Sequence, residues 1–104
     1  MSDDTVMTAS ARKALTANWF DISLVRVKCV RGVVNLQGHI EKMSGEQATP
    51  QQIEASLRRM DDSLRALKGF RGAAYFLDNW SREPTGAWRF SGTKREWERM
   101  MRAK

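Results

Sequence analysis

Residues 25–40 restrict the fold most, because apolar and polar side chains alternate there in two successive runs. The apolar members of the two runs are Val25, Val27, Cys29, Val34, Leu36 and Ile40. A period of two with several β-branched residues predicts two half-buried strands. Arg31 and Gly32 separate the runs, and they predict a tight turn because glycine readily adopts a positive φ. The region is therefore predicted to form an antiparallel β-hairpin.

The period changes to that of a helix farther along the chain. Apolar residues are spaced alternately four and three positions apart, at Ile53, Leu57, Met60, Leu64 and Leu67. This spacing predicts one apolar stripe that faces the core from an amphipathic helix. Thr49 is typical of an N-cap, and Pro50 is typical of a first helical residue. Gly69 follows the basic Lys68 and is typical of a helix end, so the helix is predicted over residues 50–68.

Shorter patterns flank the hairpin and this helix. Residues 7–18 are alanine-rich without Gly or Pro, which predicts a helix, and residues 1–6 are expected to be mobile. The stretch 42–49 predicts a polar loop, and the aromatic-rich stretch 73–80 predicts a third strand. Gly38 lies on the inward side of the second strand, where a glycine indicates close packing against its backbone.

The order of these elements indicates an α+β fold: helix, strand, strand, helix, strand. A right-handed crossover through the second helix makes the second and third strands parallel neighbours if they share a sheet.

The hairpin also carries a family resemblance. The block GVVNLQG at residues 32–38 follows the alternating run that begins at Val25, and together they resemble the core of the BON domain, a small bacterial module. The helix, Gly69 and the third strand follow in the order of that family, so the resemblance covers about residues 8–80. The motif residues that it identifies are Gly32, Val34, Leu36, Gly38 and Gly69.

The resemblance implies an α-β-β-α-β fold with helices packed on one face of a small mixed three-stranded sheet. It also implies a module without catalytic activity that binds phospholipid surfaces or other proteins. We therefore expect a BON-like domain over residues 7–80 and an additional C-terminal extension over residues 81–104. Members of the family are commonly exported, whereas this sequence shows no export signal.

Composition and charge restrict the class of protein and of partner. The chain of 104 residues is 41% hydrophobic and 29% charged, which suits one globular domain. Its net charge of +6 favours an anionic partner: nucleic acid, an acidic membrane or an acidic protein. No apolar run approaches the roughly 18 residues of a transmembrane helix. The single Cys29 excludes a disulfide within the chain, and a cytoplasmic location is expected.

The residue types that catalysis needs do not come together in the sequence. One cysteine and one histidine cannot form a zinc site, so we expect Cys29 to be buried and His39 to be solvated on a strand. Asp61 and Asp62 diverge by about 100° on a helix. We expect both on its solvated face, with Asp61 paired to Arg65 and Asp62 paired to Arg58 or Arg59. The stretch GFRG at residues 69–72 is similar to a nucleic-acid-binding GXXG loop, but that loop joins two helices. We expect no enzyme, cofactor or metal.

The C-terminal extension, residues 81–104, has seven basic and three acidic residues interleaved with aromatic and methionine side chains. Residues 87–90 predict a short edge strand. Thr93 and Glu96 have the spacing of a capping box at the start of a final helix over residues 94–103. The apolar face of that helix would comprise Trp97, Met100 and Met101.

Four roles remain open for this extension: folding back to cover the bare face of the sheet, with Trp80, Trp88 and Phe90, or the edge of the sheet; docking on a partner protein; lying on an anionic membrane; or contacting nucleic acid. We expect a non-catalytic binding module that engages a protein partner or an anionic membrane surface through the sheet face and the extension. RNA binding through the extension is the alternative, and an exposed sheet edge allows a homo-oligomer. The expected contact residues are Trp88, Arg89, Lys94, Arg95, Trp97, Arg99, Met100 and Arg102.

Overall fold

The computed structural model describes residues 3–43 and 48–102 and confirms the predicted α+β fold. The helices are α1 (Asp3–Ala17), α2 (Pro50–Arg65) and α3 (Lys94–Met101), and a 3-10 turn spans Ile22–Leu24. The strands are β1 (Val25–Val30), β2 (Val33–Gly38), β3 (Gly72–Leu77), β4 (Trp80–Arg82) and β5 (Trp88–Phe90). None of the helices in this part of the chain is long and apolar enough to cross a membrane.

β2 is the central strand of a mixed three-stranded sheet with the order β1-β2-β3. β1 pairs with β2 in the antiparallel sense and β3 pairs with it in the parallel sense, as the hairpin and the crossover predicted. The tight turn consists of Arg31 and Gly32, whose φ angles are 52° and 83°. Positive φ at both central residues gives a turn whose twist matches that of the flanking strands.

One face of this sheet lies in the hydrophobic core with α1 and α2. The buried residues of this core include Val25, Val27, Cys29, Val34 and Leu36 from the sheet and Ala11, Leu15, Ile53, Leu57, Met60 and Leu64 from the helices. The apolar stripe predicted on α2 therefore faces the core, and Cys29 is a buried apolar residue as expected.

Gly38 is the motif residue with the tightest surroundings. Its φ is 136°, and a Cβ added there would lie 2.1 Å from the carbonyl oxygen of Leu24. The close approach of backbone that the sequence predicted at this glycine is thus confirmed, and the approaching group is the 3-10 turn before β1. Val34 and Leu36, in the same strand, are buried.

Gly32 and Gly69 meet at the opposite end of the sheet. A Cβ on Gly32 would lie 2.4 Å from the carbonyl oxygen of Gly69. The backbone N–H of Arg71 donates to the carbonyl of Gly32 at 2.8 Å. These contacts join the hairpin turn to the loop between α2 and β3.

The start of α1 corrects one expectation. The helix begins at Asp3, so residues 3–6, which we expected to be mobile, are helical; residues 1–2 lie outside the described residues. The carboxylate of Asp4 accepts hydrogen bonds from the backbone N–H groups of Arg31 and Gly32 at 3.2 and 3.3 Å. An acidic residue that resembles a solvated tip in the sequence therefore ties the first helical turn to the hairpin.

Several predicted boundaries also move. β3 ends at Leu77, and Trp80 begins β4, which pairs with β5 and was not predicted. α2 ends at Arg65, three residues before the predicted end. Of the predicted loop over 42–49, residues 44–47 lie outside the described part of the chain, as does residue 103 at the predicted end of the last helix.

The N-cap predicted for α3 is confirmed, but its capping box is only half formed. The Thr93 side chain accepts from the backbone N–H of Glu96 at 3.2 Å. The carboxylate of Glu96 accepts instead from the side-chain amide of Asn79, at 2.6 Å. Glu96 therefore anchors α3 to the segment between β3 and β4.

Candidate binding surfaces

The C-terminal extension packs beside the helices and does not cover the bare face of the sheet. Trp88 is 4% exposed, and its ring meets the edge of Tyr75 at 4.8 Å between centroids. Tyr75 pairs in register with the buried Leu36, and its hydroxyl bonds to α2, so it lies on the helix side of the sheet. Trp80, 3% exposed, packs on Phe90. These rings therefore do not cover the other face, and Trp88 packs instead beside the edge strand β3, in agreement with the alternative that the extension covers the edge.

Two of the expected contact residues belong to the core. Trp88 and Met100 are 4% and 9% exposed, so neither side chain is accessible to a partner in this structure. The reason is that α3 is amphipathic and turns Met100 inward, whereas Trp88 fills the space beside Tyr75. Trp97 is 37% exposed and packs against Phe90, with ring centroids 5.3 Å apart.

The other expected contact residues are exposed but differ in their pairing. Arg99 lies 2.9 Å from Glu41, and Arg89 lies 3.6 Å from Glu83. Lys94, Arg95 and Arg102 are exposed, and none forms an ion pair with a described residue. The extension thus offers three unpaired basic side chains, and of the predicted apolar face of its helix Trp97 and Met101 are exposed while Met100 is buried.

A second surface, the open face, lies on the side of the sheet away from α1 and α2. We define it by Arg26, Lys28, Val30, Val33, Asn35, Gln37, Gly72, Ala74 and Phe76. Because side chains alternate along a strand, these are the neighbours of the buried positions. The register places Arg26, Gln37 and Phe76 in one row across the three strands. Lys28, Asn35 and Ala74 form the next row.

The open face is basic, and one aromatic ring on it is exposed. It has no carboxylate, and neither Arg26 nor Lys28 forms an ion pair with a described residue. Phe76 has 62% of its surface exposed, and Val30 has 44%. Of the large apolar side chains in the described residues, that of Phe76 is the most exposed. Burying it completely would contribute about 1.5–3 kcal/mol to a complex.

Two further arginines lie at the end of the sheet where β1 ends and β3 begins. Arg31, in the hairpin turn, and Arg71, before β3, both line a cavity of about 410 Å³. The other lining residues are Asp4, Met7, Gly32 and Gly69. Asp4 is the one acidic residue in this lining, and its carboxylate is bound to the turn backbone. Because Asp4 and Met7 belong to α1, this cavity lies where the end of the sheet meets that helix, and it is separate from the open face.

The alternation in the first predicted strand places Arg26 and Lys28 on its polar side, but the sequence assigns them no partner. The signal for the open face was nevertheless present. If Tyr75 faces the core, Phe76 must point to the opposite side of β3, because successive side chains of a strand point to opposite faces. Parallel pairing with β2 then puts Phe76 on the same face as the two basic residues of β1.

His39 lies in a polar cluster and is not the solvated residue that we expected. Its Nδ1 is 2.5 Å from Asp78, and its Nε2 is 3.3 Å from Glu96. The side chain is 31% exposed. The imidazole thus bridges the end of β3 and α3, which is a structural position. Across residues 3–43 and 48–102, no group of three or more His, Cys, Asp or Glu residues is placed to hold a metal ion.

Asp61 is buried, which corrects its expected position on the solvated face of α2. It is 5% exposed and accepts hydrogen bonds from Tyr75 at 2.5 Å, Arg65 at 2.9 Å and Arg82 at 3.3 Å. The predicted pair with Arg65 is confirmed. Tyr75 and Arg82 come from β3 and β4, so the cluster joins α2 to both sheets.

The protonation states in this cluster follow from its contacts. Burial raises the pKa of Asp61, but the hydrogen bonds from Tyr75 and Arg65 and the charges of Arg82 and Arg65 outweigh it. The pKa of this carboxyl is therefore below its ordinary value of 3.8. Burial and the bond to Asp61 raise the pKa of the Tyr75 hydroxyl well above its ordinary range, so this hydroxyl remains a donor.

We expect Asp61 to make stability depend on pH in the acid range. Since its pKa is lower in the folded than in the unfolded protein, the carboxylate stabilises the fold above about pH 4, and this contribution is lost as the pH falls through the folded pKa. Asp61→Asn should cost about 2 kcal/mol at neutral pH and flatten the acid limb. Urea unfolding across the pH range measures both. Asp62→Asn is the control, and an Asp61→Asn curve parallel to wild type would contradict the assignment.

Comparison with known proteins finds no relative of this chain. No family model, curated protein or solved structure matches this sequence. The BON resemblance of residues 8–80 therefore stays a prediction, and the functional argument starts from the two surfaces described above.

Proposed function

We propose that this protein is a non-catalytic binding module that takes an anionic partner on the open face of its three-stranded sheet. The observation that carries this proposal is the composition of that face, where Arg26 and Lys28 have no ion-pair partner among the described residues and their cross-strand partners, Gln37 and Asn35, are uncharged. Unpaired basic side chains on one surface raise the local concentration of an anion and orient its approach. The exposed Phe76 supplies apolar area that becomes buried in a complex.

The extension has a supporting role in the proposal. Its helix α3 has eight residues, turns Met100 into the core and keeps Trp97 and Met101 as exposed apolar side chains. Lys94, Arg95 and Arg102 extend the basic surface of the molecule. Membership of the BON family and a cytoplasmic location belong to the same proposal, supported by the block at residues 32–38 and by the single, buried Cys29.

The proposal predicts that two residues of the open face control binding. The double variant Arg26→Gln, Lys28→Gln should lose most of the binding of the full chain to anionic probes and most of its salt dependence, because both charges face the probe. Three probes are used over a salt series: phosphatidylserine vesicles, polyglutamate and a single-stranded RNA.

Two matched variants give this experiment its controls. Arg12→Gln, Lys13→Gln removes the same charge from exposed positions of α1 and should bind as wild type does. Lys94→Gln, Arg95→Gln tests the extension. If this last variant loses binding while the open-face variant retains it, the proposed surface is wrong.

A further inference from the structure

We infer that the anionic partner of the open face is a single-stranded nucleic acid whose base stacks on Phe76. This inference rests on the proposed function and names the chemistry of its ligand. The ring of Phe76 is 62% exposed on the face of a sheet and lies in one row with Gln37 and Arg26. An aromatic ring that lies open on a sheet is a stacking platform for a base, since every base offers a π-face.

The neighbours of Phe76 suit the other parts of a nucleotide. Gln37 is exposed beside it on β2. Asn35 lies in the next row, where its side-chain nitrogen donates to the carbonyls of Lys28 and Val33, both at 3.3 Å. Amide side chains both donate and accept, as the edges of bases require. Arg26 and Lys28 lie on the far strand, about 10 Å from β3, because neighbouring strands are about 4.8 Å apart. This separation allows a base on Phe76 while the phosphates lie along β1.

The basic residues of the open face also lie along one line. Arg26 and Lys28 are two residues apart on β1, which is an edge strand of the sheet. Phosphates are repeated charges along a line, so successive basic residues along one edge fit them better than they fit a compact anion. Arg26 and Lys28 are the charged side chains of the open face, and their positive charge is complementary to the phosphates of a nucleic acid.

Other anionic partners use these residues differently. A lipid surface or an acidic peptide is attracted by the charges of Arg26 and Lys28, but neither requires an aromatic ring at position 76. A leucine there would keep the apolar contact with lipid or protein. Double-stranded nucleic acid offers phosphates without accessible base faces, so it cannot stack on Phe76. The face of the ring is therefore the feature that separates a single strand from these partners.

The test is the affinity of the full chain for a labelled single-stranded RNA of about ten nucleotides, measured by fluorescence anisotropy. We expect Phe76→Leu to weaken binding roughly 5- to 150-fold, the effect of losing one stacked base. Phe76→Tyr should keep the wild-type affinity because it keeps the ring. Arg26→Gln, Lys28→Gln should lower the salt slope by ~0.7 for each phosphate that these side chains neutralise in the wild type. The double-stranded form of the same RNA should bind more weakly than the single strand.

The results that overturn this inference differ from those that overturn the proposed function. Equal affinity of wild type and Phe76→Leu for the RNA overturns it, as does equal binding of single and double strands. A different outcome is that phosphatidylserine vesicles or polyglutamate bind through Arg26 and Lys28 while RNA does not bind. In that case the proposed function stands and the inference of a nucleic-acid partner is wrong. If the binding of no probe depends on Arg26 and Lys28, the proposed function and the inference of a nucleic-acid partner are both wrong.

Discussion

Gly38→Ala should destabilise the protein by about 3 kcal/mol or more, which lowers Tm on the order of 10–20 °C. The φ of 136° at this position is a conformation essentially restricted to glycine. An added Cβ would also lie 2.1 Å from the carbonyl oxygen of Leu24 and 3.2 Å from Cα of Val25. Both contacts are with backbone, so no side chain can rotate away, and the 3-10 turn or the end of β2 must move.

Gly72→Ala is the matched control for this prediction. Gly72 is also in the three-stranded sheet, but an added Cβ meets no atom within 4 Å there. Its free energy of unfolding should stay within about 0.5 kcal/mol of wild type. Thermal and urea unfolding of the two variants give the comparison. Equal stability of Gly38→Ala and Gly72→Ala would show that the end of β2 can adopt another conformation at little cost.

The elements that were predicted correctly depend on local pattern. The hairpin needs only alternation on either side of a turn pair with positive φ, and Arg31-Gly32 supplies that pair. The helix α2 needs only one apolar stripe with Thr49 and Pro50 at its start. Parallel pairing of β2 and β3 follows from the connection between them. Each of these signals lies within a few residues of the element that it predicts.

The errors concern partners that are distant in sequence. Asp61 has the same local spacing as a solvated helix residue, and only Tyr75 and Arg82 make it a buried acceptor. Trp88 resembles an exposed contact residue until Tyr75 is beside it. Local periodicity does not reveal such contacts, because they depend on how two elements pack together.

The candidate site was only partly predictable, again because local periodicity does not show how distant elements pack together. The extension was chosen for its composition, yet its apolar residues complete the core. The open face follows from strand period and from the pairing of β1, β2 and β3, both of which were predicted. What the sequence could not supply is the exposure of Phe76, because that depends on whether the extension covers the ring.

Asn79→Ala should cost about 3–5 kcal/mol, although the residue lies in a short connection between two strands. Asn79 is 1% exposed. Its side chain accepts from the backbone N–H of Ile40 at 2.9 Å and donates to the carbonyl of Ile40 at 2.8 Å and to Glu96 at 2.6 Å. Truncation leaves all three groups without these bonds in a buried site, and each unsatisfied group costs about 1–3 kcal/mol.

Variants that exchange the hydrogen-bond donor and acceptor between Asn79 and Glu96 show whether Asn79 stabilises the fold by hydrogen bonding or by packing. Asn79→Asp keeps the size of the side chain but places a carboxylate against Glu96, so it should destabilise at least as much as Asn79→Ala and should increase amide exchange in α3. Adding Glu96→Gln to Asn79→Asp restores one donor and one acceptor across the same contact. The double variant should therefore be more stable than the sum of the two single effects predicts. Strict additivity in urea unfolding would contradict a direct bond between the two side chains.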